Sequence, residues 1–191
     1  MIKIGIIGYG KMGQIRMNTA KESGLAEVVS VFDPNKVKKK AFFVDSPEKI
    51  IEDPNIDAVF IATPNHKNAT FTKRCLESGK HVFCEKPPAL NTLELEEIKN
   101  LEKKAKKVLM YGFNHRYHES IMEMKKISDS GEYGRIIWMR GRYGKSVSED
   151  FFQSWRSKLE LAGGGIVIDQ GIHMLDLFLF FAEDFDSVHA S

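Results

Sequence analysis

The stretch that decides the fold is KIGIIGYGKMG, residues 3–13. Its apolar first half predicts a buried strand ending at Gly8, and the chain that follows predicts a helix over 11–23. In such a turn the glycines Gly8, Gly10 and Gly13 (G-x-G-x-x-G) allow, in order, a tight bend, approach of the backbone to a pyrophosphate, and close helix–strand packing. The pattern therefore predicts a dinucleotide site at a helix N-terminus. An ordinary strand-to-helix turn is the alternative.

Strands and helices continue to alternate over the first 118 residues. Apolar runs predict further strands at 26–33, 57–63, 81–85 and 108–113. Capped, charged segments predict helices at 47–52, 66–78 and 91–106. This alternation is typical of βαβ units in a doubly wound parallel sheet, so residues 1–118 are predicted to be a Rossmann domain.

The pattern changes after Tyr117. The sequence predicts a helix at 118–130, a strand at 135–144, an irregular polar segment at 146–158, an apolar helix after the glycine run 163–165, and the start of a strand at 186–191. One strand and two helices cannot cover a sheet, so residues 119–191 are expected to be an incomplete second domain.

Charge argues against nucleic acid as a partner. The net charge is +2, and 42% hydrophobic and 28% charged residues are ordinary proportions for a globular protein. The densest basic stretches, 36–40 and 103–107, are interpreted as solvated helix faces. The apolar run after Gly165 is interrupted by ionisable residues, so no membrane span is expected either.

The two cysteines, Cys75 and Cys84, lie in no metal-binding spacing. They predict neither a disulfide framework nor a metal site, which suits a reducing cytoplasm. The N-terminus has no long apolar run and is interpreted as a first strand, not a signal peptide.

Asp33 lies 20 residues after Gly13, at the end of the second predicted strand. A carboxylate at this place accepts hydrogen bonds from a ribose 2′-hydroxyl and would repel a 2′-phosphate. The cofactor is therefore predicted to be NAD, with NADP disfavoured. The alternative is that Asp33 only forms a turn with Pro34.

Two further segments follow strand ends and should border the same crevice. They are Thr63–His66 and Glu85–Lys86. A buried lysine there could polarise a substrate oxygen or take part in proton transfer. A solvent-exposed loop lysine is the alternative for Lys86.

Asp169, His173 and Asp176 are spaced i, i+4, i+7, which puts them on one helix face. A carboxylate beside an imidazole fixes its tautomer and raises its basicity, so Asp169 and His173 are expected to pair as a base for a hydroxyl proton. The alternatives are a core histidine with a capping aspartate, and a metal site, which no second histidine or cysteine supports.

Six motifs occur in one order: the N-terminal glycine pattern, ATPNH (62–66), CEKP (84–87), GFNHR (112–116), the Trp155-Arg156 pair, and GGGIVIDQGIHMLD (163–176). Together they resemble the Gfo/Idh/MocA oxidoreductases, which include inositol, glucose–fructose and nucleotide-sugar dehydrogenases. The resemblance implies a Rossmann domain followed by an α/β domain with a large, mostly antiparallel sheet. Family members are longer, so the chain is expected to be C-terminally short.

The resemblance also implies roles for individual residues. Lys86 would bind the reacting hydroxyl, His173 would be the acid/base, and Asp169 would assist it. Asp176 is expected to be structural. The cofactor would be lined by Gly8, Tyr9, Gly10, Lys11, Met12, Gly13, Asp33, Thr63, Pro64, Asn65, His66, Glu85, Lys86, Asn114, Trp155 and Arg156.

The function implied is an NAD-dependent dehydrogenase that acts on a hydroxyl carbon of a sugar, polyol or nucleotide sugar. Two alternatives are a catalytically inactive NAD-binding or interaction protein, and a reductase of C=C or C=N bonds. The expected partners are a small-molecule substrate and further copies of the chain, with a cytoplasmic location.

Overall fold

The computed structural model describes residues 1–35, 42–144, 146 and 148–189. The basic stretch 36–40, expected to form a helix face, lies outside the described residues, as do the last two residues of the strand expected at 186–191.

A parallel sheet of five strands organises the first half of the chain, in the order β2-β1-β3-β4-β5. The strands are β1 (Ile2–Ile7), β2 (Ala26–Phe32), β3 (Ala58–Ile61), β4 (His81–Cys84) and β5 (Leu109–Tyr111). The helices among them are α1 (Lys11–Ser23), α2 (Glu48–Ile51), α3 (Asn65–Glu77) and α4 (Thr92–Ala105). The predicted doubly wound sheet is confirmed.

Both faces of the sheet are covered, which explains the nearly continuous apolar runs of its strands. On one face Ile6 of β1 packs in a cluster with Ala20 of α1. On the other face Ile7 packs in a cluster with Leu76 of α3. The chain leaves β1 toward β2 on one side and reaches β3 on the other, so a crevice opens at the carboxyl end of β1.

Local signals end the helices where the sequence predicts. Gly24 and Gly79 follow α1 and α3 with φ of 66° and 72°, the left-handed region that glycine tolerates. Asn91 caps α4, because its side chain accepts a hydrogen bond from the Glu94 amide. The Glu94 carboxylate accepts in turn from the Leu90 amide. These reciprocal bonds fix the entry into α4.

After β5, the described residues form short helices and no strand. They are α5 (Glu119–Asp129), α6 (Glu149–Gln153), α7 (Leu159–Ala162) and α8 (Ile172–Ala182), with 3-10 turns at Asn114–Tyr117 and Trp155–Ser157 and a π turn at Val167–Gly171. The predicted strand at 135–144 is wrong: most of it is exposed, and no described strand lies beside it. Alternation alone cannot make a strand, since a strand needs a hydrogen-bonding neighbour.

The stretch Leu159–Ala182 is long and apolar enough to cross a membrane by length and composition alone. Its path is interrupted, however, since α7 ends at Gly163 with φ +80°. The 11 residues of α8 span about 16 Å, roughly half the thickness of a bilayer core. His173 and Asp176 of α8 are buried within the fold.

Asn68 of α3 ties two strand ends together. Its side chain is fully buried, accepts a hydrogen bond from the Thr63 hydroxyl (2.9 Å), and donates to the carbonyls of Glu85 (3.2 Å) and Pro87 (2.9 Å). The segments that follow β3 and β4 are therefore held in register by one amide.

We expect Asn68→Ala to lower the free energy of unfolding by about 3 kcal/mol, because it leaves buried carbonyls without a donor. Urea unfolding followed by circular dichroism measures this as a lower midpoint at an unchanged slope. Asn100→Ala, at an exposed site on α4, is the control and should change stability by less than about 0.5 kcal/mol. Equal midpoints for the two variants would contradict the assignment.

Candidate functional site

The three glycines of the turn after β1 have different surroundings: Gly8 and Gly13 are closely packed, and Gly10 is open. A Cβ on Gly8, whose φ is +94°, would lie 2.4 Å from the Ala62 carbonyl oxygen, and a Cβ on Gly13 would lie 2.1 Å from the Gly8 oxygen. Around Gly10 a Cβ would meet no atom within 4 Å. Gly8 and Gly13 thus permit the fold, while Gly10 leaves room for a ligand at the start of α1, as a pyrophosphate requires.

The other predicted cofactor residues of the glycine turn lie at or just before the start of α1. Lys11 is exposed, Met12 is partly exposed, and Tyr9 precedes them. The Asp33 carboxylate, just past β2, accepts a hydrogen bond from the Tyr9 amide at 2.7 Å and another from the Asn35 amide at 2.9 Å. Asp33 is therefore positioned against the glycine turn, with acceptor capacity left for a ribose hydroxyl.

The segment after β3 forms the next wall of the crevice and begins α3. Pro64 is the N-cap position of that helix, and Thr63 points its hydroxyl to Asn68. The buried Asn65 amide donates to the Ala162 carbonyl at 2.8 Å, so this predicted cofactor residue joins the sheet domain to α7. The Nδ1 atom of His66 is buried and has no hydrogen-bond partner among the described residues.

Glu85, at the end of β4, is neutralised by Arg16 of α1. The Arg16 guanidinium contacts one carboxylate oxygen at 2.6 Å and 2.8 Å, and also lies 4.6 Å from the centre of the Phe83 ring. Glu85 is 8% exposed, so the pair is largely desolvated. The ion pair fixes α1 and the glycine turn against the segment that carries the next residue, Lys86.

The Lys86 ammonium contacts Asp169, which is 83 residues further along the chain. It lies 3.2 Å from the Asp169 Oδ1 and also donates to the Asp169 main-chain carbonyl. Gln170 donates to the other carboxylate oxygen at 2.8 Å. Burial alone would raise the pKa of Asp169, but the Gln170 hydrogen bond and the Lys86 charge outweigh it and lower that pKa below its ordinary value.

The expected pairing of Asp169 with His173 is wrong as a hydrogen-bonded pair. Asp169 pairs with Lys86, and the buried Nδ1 of His173 has no partner among the described residues. Asp169 lies in the π turn Val167–Gly171, whose wider spacing removes it from the regular i, i+4 stagger. A charged ammonium is also a stronger partner for a carboxylate than a neutral imidazole.

Aromatic rings enclose His173. The His115 imidazole lies nearly parallel to it, with 3.9 Å between ring centres and 15° between planes, and Phe113 meets it edge-on. His173 is 5% exposed. Burial, followed by the charges of His115 and Lys86, lowers the pKa of His173 to about 4, against the opposing effect of Asp169. The imidazole is therefore neutral at neutral pH, and it is a weaker base than a free imidazole because burial and nearby positive charge disfavour its protonation.

Asp176 forms an ion pair with Arg116. It accepts two hydrogen bonds from Arg116, at 2.8 Å and 2.6 Å, and is 8% exposed. Arg116 also lies 5.0 Å from the centre of the Phe180 ring. This two-pronged pair fixes α8 against the 3-10 turn Asn114–Tyr117.

The remaining predicted cofactor residues lie in two 3-10 turns. Asn114 begins the 3-10 turn after β5 and is exposed. Trp155 and Arg156 lie in a 3-10 turn before α7, with the Arg156 guanidinium 4.5 Å from the Trp155 ring centre. The positive charge of Arg156 acts on Asp169 and helps lower the pKa of that carboxyl.

Among the residues that orient the site, Arg16, Asn68, His115 and Gln170 were not predicted from the sequence. Arg16 and Asn68 bind partners far away in the chain, and no local spacing announces either contact. His115 lies within the GFNHR motif beside the predicted Asn114, so the motif was the available signal. Among the described residues, no group of three or more His, Cys, Asp or Glu side chains could hold a metal ion.

The low pKa of His173 predicts a loss of stability in acid. The unfolded chain protonates this imidazole near 6.5 and the folded chain near 4, so its contribution is complete above 6.5 and is lost as the pH falls toward 4. Urea unfolding near pH 7 and near pH 5 should show the wild type losing about 2 kcal/mol more than His173→Gln. The same pH dependence in both proteins would contradict the assigned environment.

Two family models match most of the chain. Residues 2–113 match the family described as "Oxidoreductase family, NAD-binding Rossmann fold", and residues 121–191 match the "GFO/IDH/MocA C-terminal domain". Levoglucosan dehydrogenase of Pseudarthrobacter phenanthrenivorans is 36% identical over 143 residues, which are 74% of this chain and 37% of that protein. Myo-inositol 2-dehydrogenase of Thermotoga maritima is 28% identical over 92% of this chain and 53% of its own length.

A solved structure of levoglucosan dehydrogenase, in complex with NADH and levoglucosan, has a TM-score of 0.85 and 27% identity. The match covers 96% of this chain and 55% of that chain. The chain spans about half the length, or less, of the curated relatives it matches. By its two domain matches and its parallel sheet, the chain belongs to the Gfo/Idh/MocA family of NAD-binding oxidoreductases.

Proposed function

We propose that the chain carries the cofactor site and the catalytic groups of an NAD-dependent dehydrogenase that oxidises a hydroxyl carbon of a sugar, polyol or nucleotide sugar. Residues 1–118 are the dinucleotide-binding domain, and residues 119–191 belong to the substrate domain. The cytoplasm is the proposed location, and assembly with further copies of the chain stays a prediction. Levoglucosan and inositol dehydrogenases among the relatives support the substrate class.

One observation carries this proposal: the Lys86 ammonium contacts Asp169, and the charges of both act on the His173 imidazole. Lys86 follows Glu85, which is paired with Arg16 of α1. Its ammonium contacts Asp169, and its charge reaches His173. An ammonium, a carboxylate and a neutral imidazole at the carboxyl ends of parallel strands are the groups that oxidation of an alcohol needs.

The roles follow from charge. Oxidation removes a proton from the hydroxyl oxygen and a hydride from the carbon that bears it. The Lys86 ammonium donates a hydrogen bond to that oxygen and stabilises its developing negative charge. The neutral imidazole of His173 takes the proton, and Asp169 orients the Lys86 ammonium. NAD, held by the Gly8–Gly13 turn and Asp33, supplies the hydride acceptor when bound.

We expect this chain to reduce NAD in the presence of levoglucosan, myo-inositol or a glucoside, with Lys86→Met lowering kcat/KM at least about 100-fold. The measurement is NADH formation under saturating NAD. Lys103→Met, an exposed lysine of α4, is the control and should keep the wild-type rate.

Turnover by Lys86→Met at more than about a tenth of the wild-type rate would contradict the role of Lys86. NADH binding without turnover of any hydroxyl substrate would favour an inactive NAD-binding protein. Consumption of NADH with an imine or an activated alkene in place of an alcohol would favour a C=N or C=C reductase.

A further inference from the structure

His173 lacks the usual device that orients a catalytic histidine. Such a ring commonly donates its second N–H to a carboxylate or carbonyl, which fixes its tautomer and plane. Here the Nδ1 atom is buried and has no hydrogen-bond partner among the described residues, and the nearby Asp169 is held by Lys86 and Gln170. Some other contact must hold the imidazole in place.

The contact available is a stack of flat rings. His115 lies between His173 and Tyr143, at 3.9 Å and 15° from the former and at 5.8 Å and 19° from the latter. Phe113 meets the edge of His173 at 87°. Both Phe113 and His115 lie just after β5, so the sheet positions them rigidly. Near-parallel rings at this separation resist rotation of one ring against the other.

We propose that His115 is a positioning residue, which fixes the plane of the His173 imidazole by stacking on it and excludes water from that face. Its meaning for catalysis rests on the proposed function, since only a dehydrogenase uses His173 as a base. The stack itself can be tested without cofactor or substrate.

The charged groups around the stack bear on its protonation. His173 faces Lys86 from the segment after β4 and Asp169 from the π turn. His115 faces His118 from its own turn, Lys86, and Asp176, which is itself paired with Arg116. Two stacked imidazoles cannot both carry a proton at low cost, and burial and the neighbouring charges lower the pKa of each. Stacking thus favours the neutral pair.

The test is an NMR titration of the histidine side chains in the 191-residue chain, free of ligand. In the wild type we expect nuclear Overhauser contacts between the two rings, upfield-shifted His173 ring protons, and an apparent pKa well below 6.5 for His173. His115→Ala should abolish the upfield shift and move the pKa of His173 toward 6.5. His115→Phe keeps a flat ring and should preserve the upfield shift and most of the lowering of the His173 pKa, because burial is the largest cause of that lowering.

His118→Ala is the matched control, because His118 is exposed and contacts His115 edge-on at 5.4 Å. It should leave the titration of His173 unchanged. Equal His173 titrations in the wild type and in His115→Ala would overturn the proposal, as would a wild type without contacts between the rings. If His115→Ala fails to fold, the wild-type contacts and His115→Phe decide the question. Failure of turnover with an intact stack would refute the dehydrogenase function and leave the stack standing.

Discussion

The contact between the Lys86 ammonium and the Asp169 carboxylate is the constraint on which the site depends. It joins the end of β4 to the π turn before α8, across 83 residues of sequence. Both side chains are largely buried, so each charge requires the other, and removing either would leave an uncompensated ion. Burying the Lys86–Asp169 pair costs desolvation energy, so the pair is not expected to stabilise the fold much. Its position at the crevice favours a role in the reaction.

Other ion pairs and hydrogen bonds position the segments that carry Lys86 and Asp169. The Arg16–Glu85 pair positions the residue before Lys86 against α1, and Asn68 holds the backbone on both sides of it. The Asn65–Ala162 hydrogen bond and the Arg116–Asp176 pair attach the second segment to the sheet. Among the described residues His173 is buried without an ion-pair partner, and its imidazole stays neutral.

Much of this architecture could be predicted from sequence, because its signals are local. The apolar runs that end at Gly8 and Thr63 predicted β1 and β3, and the spacing of the glycines predicted the turn that lies against Asp33. The contacts that orient the site could not be predicted, since Arg16, Asn68 and His115 meet partners that only the fold brings near. The Asp169–His173 pairing failed because a regular helix was assumed where a π turn occurs, and the strand at 135–144 failed because alternation does not supply a neighbouring strand.

The glycine turn and Asp33 form the proposed NAD site, near the partly buried Lys86. The most direct measurement is the dissociation constant of the chain for NADH and for NADPH, from a fluorescence titration. We expect NADH to bind at least about tenfold tighter than NADPH, because a 2′-phosphate would meet the Asp33 carboxylate. We also expect Gly10→Ala to fold like the wild type and to lose NADH affinity. Binding of neither nucleotide by the folded chain, or equal affinity for both, would contradict the proposed site.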